Sequence, residues 1–244
     1  MADGGTPLPE SWYATPEAWM VERQRIFRDA WQVVARALDL PAPGDYVASA
    51  IAGASVFALR QPDGSMLGFR NLCRHQGMQV LETGAGHCER LRCRFHGWTY
   101  GLDGALIETP AKVAPPSRDP EATALTRIGA AEVGGFALLA LDARTGNAIP
   151  AILAELVPGP EPLARHLAEA NWKREMEQML AAGALLIWPN MAITTTSDPA
   201  ISVVQPRGFA RSEILTLPLR ARPRLQHRSE MLAEFRARVA ALHG

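Results

Sequence analysis

Cysteine is scarce in this chain, with three among 244 residues. Three thiols cannot form the even-numbered disulfide framework of a small secreted domain. Thiols left unpaired suit a reducing compartment, and the cytoplasm is the expected location. Net charge is lacking too, because 25 Lys and Arg balance 25 Asp and Glu. That balance excludes the global attraction by which strongly basic proteins hold nucleic acid or anionic membranes. No apolar run approaches the roughly eighteen residues of a membrane-spanning helix. Residues Met1 to Pro7 carry neither a basic start nor an apolar stretch, so no signal peptide is expected there. No Ser/His/Asp arrangement, Gly-rich phosphate loop or HExxH motif offers hydrolytic or nucleotide chemistry.

What the chain does have is a pair of mixed Cys–His motifs. One residue separates Cys73 from His75, two separate Cys93 from His96, and seventeen lie between His75 and Cys93. This is the ligand set of a Rieske [2Fe–2S] centre, in which two Cys hold one iron and two His hold the other. At the tips of two adjacent loops, each motif can offer a thiolate to one iron and an imidazole to the other. A zinc site of two Cys and two His is the competing reading. Zinc sites usually pair like ligands in sequence, whereas here each pair is mixed. Cys88 is surplus to the ligand count and reads as a bystander. Trp98 reads as a shield over the cluster. Tyr100 is either a hydroxyl donor to a cluster or Cys sulfur, or an ordinary core tyrosine. Arg74, Arg92 and Arg94 crowd the ligand loops, as a solvated rim or as a docking face for an acidic electron donor.

The coarse pattern is α+β. Residues 1–39 read as an N-terminal arm and helix, with Thr15 at the N-cap, Pro16 at the first helical position and Glu17 in the first turn. Trp19, Ile26, Phe27, Ala30 and Trp31 form a core-facing stripe at helical spacing. Residues 40–145 read as an antiparallel β-sandwich of short strands. Strands at 46–51 and 55–60 flank a hairpin turn, 62–65 and 84–86 are turns, and 66–72 delivers Cys73 to a loop tip. Residues 89–92 lead to the second loop, 99–107 form a hairpin, 112–121 a Pro-bearing loop, and 135–141 a closing apolar strand. Residues 146–244 read as a second α+β domain. It has helices near 150–157 and 175–182, strands at 185–196, 201–205 and 212–219, and a C-terminal helix at 229–242. Met231, Leu232, Phe235, Val239 and Leu242 share one face of that last helix.

The first 140 or so residues resemble the large (alpha) subunits of Rieske non-haem iron ring-hydroxylating oxygenases. The resemblance rests on Ile26 through Trp31, Pro43 through Tyr46, Phe69 through His75 and Cys93 through Tyr100, with Leu102, Asp103 and Gly104 in register. It continues more weakly through Glu169 to Lys173 and Trp188 to Met191. Met78 and Phe95 stand where respiratory relatives carry a disulfide Cys, which groups the chain with the oxygenase and ferredoxin type. The implied architecture is an N-terminal Rieske domain followed by an oxygenase catalytic-type α+β domain, here truncated.

In that family the second domain holds a mononuclear Fe(II) by two His and one carboxylate. Counted on from Asn171, Trp172 and Lys173, the family's linking acid falls on Ala181 and its first His on Ala184. The chain then passes straight into 185–190, a run the family has far later, so a large internal block is missing. His166 and Glu169 are three apart and could share a helix face. His227 and His243 lie near the C-terminus, and His166 reads more simply as a surface histidine. The resemblance therefore implies a [2Fe–2S] cluster, no mononuclear Fe(II) and no catalytic residue of the chain's own. The chain would be the electron-transfer subunit of a hetero-oligomeric oxygenase acting on aromatic or polycyclic rings. It would take electrons from a ferredoxin or flavin reductase and pass them to the iron of a full-length large subunit. A stand-alone ferredoxin-type carrier and an active oxygenase with a rebuilt iron site are the alternatives.

Overall fold

The computed structural model describes residues 5–111, 117, 119–142, 148–223 and 230–243. The chain opens with two short helices, α1 (Ser11–Ala14) and α2 (Pro16–Glu22). The start of α2 follows from its sequence. Thr15 accepts a hydrogen bond from the Ala18 N–H, and Pro16 sits where a helix has no use for an N–H. A π-helical turn (Arg23–Phe27) extends α2 and buries Ile26 and Phe27. The helical stripe stops there, because Gln32–Arg36, read as part of the arm, is a strand, β1. The contacts divide the chain into two units, one of Met1–Trp31 with Asn147–Gly244 and one of Gln32–Gly146.

In the unit Gln32–Gly146 every described strand pairing is antiparallel. Its strands are β1, β2 (Asp45–Ile51), β3 (Ala54–Arg60), β4 (Met66–Arg70), β5 (Gly84–His87), β6 (Leu91–Arg92), β7 (Thr99–Tyr100), β8 (Leu106–Glu108), β9 (Arg127–Val133) and β10 (Phe136–Ala140). Seven form one sheet in the order β1-β10-β9-β4-β3-β2-β5, and β6-β7-β8 form a second. Ala52 and Gly53 both have positive φ, the pattern of a two-residue hairpin turn, and they join β2 to β3. Residues 84–86 are not a turn but the start of β5, paired with β2. Gly86 lies opposite Tyr46, and a Cβ there would come within 2.4 Å of the phenol oxygen. The glycine makes room for a ring rather than turning the chain.

β9 lacks an apolar alternation, since only Ile128 on it is buried, and so it left no strand signal. Most of the expected Pro-bearing loop, 112–116 and 118, lies outside the described residues. Its last part forms a short helix, α3 (Pro120–Thr123), capped by Asp119. Phe57 and Phe69 stack at 5.2 Å in a core that also holds Leu59, Val80, Leu91 and Leu125. Cys73, Cys93, Trp98 and Tyr100 belong to the same cluster. Burying an aliphatic or aromatic side chain stabilises by roughly 1.5–3 kcal/mol, so the roots of the ligand loops are fixed by the core itself.

The other unit carries β11 (Ala164–Ala168), α4 (Trp172–Ala181), β12 (Leu185–Ile187), β13 (Met191–Thr194), β14 (Ala200–Pro206), β15 (Ser212–Pro218) and α5 (Met231–His243). The sheet order is β11-β15-β14-β13-β12, all antiparallel. Asn171 caps α4 by accepting the Lys173 N–H, and its amide donates to the carbonyls of Tyr13 and Phe209. Within this unit a buried ion pair joins α2 to α4. Lys173 Nζ lies 2.5 Å from Glu22 Oε1, and the Trp172 indole donates to Glu22 Oε2 at 2.7 Å. Phe235 and Val239 are buried on the expected face of α5. Among the described residues no helix is long and apolar enough to cross a membrane.

Candidate metal centre

Two loops carry the four candidate ligands, and the backbone closes both in the same way. In the first, the Cys73 N–H donates to the Met78 carbonyl (2.8 Å) and the Gly77 N–H returns to the Cys73 carbonyl (2.9 Å). In the second, the Cys93 N–H donates to the Trp98 carbonyl (2.8 Å) and the Gly97 N–H to the Cys93 carbonyl (3.0 Å). Each loop thus closes five residues beyond its Cys. Gly77 and Gly97 sit at φ of +72° and +70°, a left-handed conformation that glycine adopts without a Cβ penalty. The second loop spans from β6 to β7. The first leaves β4 through Asn71, which is fully buried. Its Oδ1 accepts the N–H groups of Val80 and Leu81, and its Nδ2 donates to Ser55 Oγ and the Leu81 carbonyl. One side chain therefore ties the outgoing and returning arms of the loop together.

The side chains converge at the loop tips. Cys73 and Cys93 are 3% and 2% exposed, and the rings of His75 and His96 meet edge to face at 4.7 Å. Trp98 stacks on His75 at 5.0 Å, 13° from parallel. The Tyr100 hydroxyl lies 3.1 Å from Cys73 Sγ and accepts the Arg74 N–H at 3.0 Å. With an N–H already pointing at its oxygen, its own proton is free to face the sulfur. Burial pushes the Cys73 thiol up, and the neighbouring Cys93 pushes the same way against the Tyr100 hydrogen bond. Burial likewise raises the Tyr100 hydroxyl. A buried Cys73 thiol that resists ionising would be stable as a thiolate once metal charge faced it, and metal uptake would release its proton.

His75 Nδ1 and Trp98 Nε1 are both buried without a hydrogen-bond partner among the described residues. Buried polar atoms are rarely left so, and a metal ligated by His75 would satisfy the first. The donors are thiolate and neutral imidazole, the set a Rieske cluster takes. Among the described residues no three His, Cys, Asp or Glu side chains are grouped around one point as a single ion would need. A two-iron cluster takes its Cys pair and His pair on different metals and does not require that focus.

The tips open outward. A cleft of about 740 Å³ is lined by Arg92, Cys93, Arg94, Phe95, His96, Gly97 and Pro110. Phe95 is 63% exposed beside His96, and Leu72 and Met78 are also exposed. Arg94 pairs with Glu82, and Arg74 donates to the Ala122 carbonyl, so each of these guanidiniums is already engaged. Cys88 is half-buried and packs against the edge of the core cluster that holds Cys73 and Cys93. Its Sγ faces the Gly44 carbonyl at 3.7 Å, and burial pushes the thiol up to about 11.

The residues weighed for a second iron are placed differently from expectation. His166 lies in β11 and not on a helix, so it and Glu169 cannot share a helix face. Side chains three apart in extended chain point to opposite sides, and Glu169 pairs with Arg211 at 2.7 Å. His243 stacks on Trp12 at 4.3 Å, with Nε2 3.3 Å from Glu22 Oε1. His227 lies outside the described residues. Ala181 ends α4, and Ala184 is buried just before β12.

Residues 30–125 match the family model of the Rieske [2Fe-2S] domain. The chloroplastic choline monooxygenase of Spinacia oleracea is 31% identical over 140 residues, which are 57% of this chain and 31% of that protein. The chlorobenzene dioxygenase subunit alpha of a Cupriavidus species is 33% identical over 98 residues, 40% of this chain and 22% of that protein. The chain therefore spans about a third or less of the length of these relatives. In fold it is similar to the apo form of a quaternary ammonium Rieske monooxygenase, with a TM-score of 0.73 over 98% of this chain and 85% of that one, at 18% identity.

Proposed function

For a chain that carries a Rieske [2Fe–2S] domain and is homologous to Rieske oxygenase alpha subunits, we propose electron transfer without oxygen activation of its own. Cys73 and Cys93 would hold one iron, and His75 and His96 the other. The bound cluster supplies one-electron chemistry. Asn71 fixes the arms of the first loop, Tyr100 donates to the Cys73 sulfur, and the core excludes water from both Cys. His96 and the exposed Phe95 stand at the rim, where they would offer the bound cluster's electron a way out.

The observation that carries this reading is the contrast between the two halves. All four Rieske ligands stand on matched loops, whereas the positions of the family's linking acid and first iron-binding His fall on Ala181 and Ala184. A methyl group cannot ligate a metal, and non-haem Fe(II) sites of this kind need two His and a carboxylate converging. A donor without its acceptor requires an acceptor in trans. The acceptor in this account is the mononuclear iron of a full-length large subunit in a hetero-oligomer, with a ferredoxin or flavin reductase as electron source in the cytoplasm. The aromatic or polycyclic substrate belongs to that partner. The test is a single-turnover assay of the reduced chain, alone and with a full-length large subunit. Product should form only with both chains, and product from this chain alone would overturn the proposal.

A further inference from the structure

The Trp98 indole N–H is fully buried and has no acceptor within the described protein. Leaving such a donor unpaired costs about 1–3 kcal/mol, so its setting calls for an acceptor. Three observations locate one. Trp98 lies nearly parallel to His75 at 5.0 Å, and His75 Nδ1 is likewise buried and unpartnered. Trp98 precedes β7 by one residue and stands two positions from Tyr100. In extended chain such residues face the same side, and the Tyr100 hydroxyl on that side reaches Cys73 Sγ at 3.1 Å. The Trp98 carbonyl also accepts the Cys93 N–H at 2.8 Å, which fixes the tryptophan backbone against the second Cys.

We infer that the Trp98 indole N–H donates a hydrogen bond to a sulfur of the bound cluster, so that Trp98 sets the reduction potential as well as covering the site. This rests on the cluster assignment above. The added electron raises negative charge on the sulfurs, so a donor stabilises the reduced form more than the oxidised form. Trp98→Phe keeps an aromatic ring to stack on His75 and removes only the donor. The reduction equilibrium should shift about threefold toward the oxidised form, a fall of roughly 30 mV at about 59 mV per tenfold for one electron.

The experiment is an EPR-monitored redox titration of wild-type chain and Trp98→Phe. It is paired with pulsed EPR of reduced wild-type protein whose tryptophans carry ¹⁵N in the indole ring. The expected results are a Rieske signal in both proteins, a lower potential in the variant, and a ¹⁵N coupling that disappears with Trp98. An intact Rieske signal with an unchanged or higher potential in the variant would overturn the inference. If Trp98→Phe fails to take up the cluster, the wild-type ¹⁵N coupling decides, and its absence would overturn the inference. No Rieske signal in wild type would overturn the cluster assignment itself, a different failure.

Discussion

Removing the Tyr100 hydroxyl is the cleanest perturbation of the site, because both of its partners are known. In Tyr100→Phe, Cys73 Sγ loses a donor at 3.1 Å and the Arg74 N–H loses its acceptor at 3.0 Å. A hydrogen bond to a charged group contributes about 1.5–3 kcal/mol. Sulfur is a softer acceptor, and only the part that grows on reduction affects the potential. A differential of about 1 kcal/mol is then reasonable, and with 59 mV for one electron per tenfold in K the potential should fall by about 40 mV. The stranded N–H should cost a further 1 kcal/mol or so of stability. Both are readable on one sample, the potential by EPR-monitored titration and the stability by urea denaturation of the loaded protein. A potential unchanged or raised, with the Rieske spectrum intact, would refute a Tyr100 hydrogen bond to the cluster ligand.

Other outcomes follow from the same geometry. His75→Cys or His96→Cys should lower the potential, because a thiolate adds negative charge at the iron that imidazole held neutral. A full, unaltered Rieske spectrum in either His→Ala variant would show that the residue is not a ligand. Lys173→Met should destabilise the folded chain by about 3 kcal/mol, the lower end for breaking a buried pair, because Glu22 keeps its bonds from Trp172 and His243. Denaturation of the double variant with Glu22→Gln should show much less loss than the single one, and equal losses would contradict the pairing.

The candidate ligands were legible in the sequence because the chemistry restricts residue type and spacing together. Two mixed Cys–His motifs have few other uses. The Thr15 cap and the hairpin turn at Ala52 and Gly53 were legible because their signals are local. What was not legible depends on distant partners. β1 followed a helical stripe without a break signal, and its identity as a strand comes from pairing with β10. Gly84 and Gly86 read as a turn until β2 is placed alongside them, with Tyr46 across from Gly86 and Ala48 across from Gly84. Asn71 looked like one motif neighbour among several, yet its side chain bonds residues nine, ten and sixteen positions away. Glu22 and Lys173 are 151 positions apart, and neither carries a mark of the other. His166 and Glu169 were weighed as a helical pair on spacing alone. The strand that holds His166 forms by pairing with β15, a contact that spacing does not encode.

Metal and sulfide analysis of the chain purified without oxygen tests the central claim most directly. Two irons and two acid-labile sulfides per chain are expected, with no stoichiometric zinc, and both irons should be lost when the four ligands are replaced. One zinc and no sulfide would contradict the cluster. A third, chelatable iron that survives ligand replacement and supports product formation would contradict electron transfer as the chain's sole task.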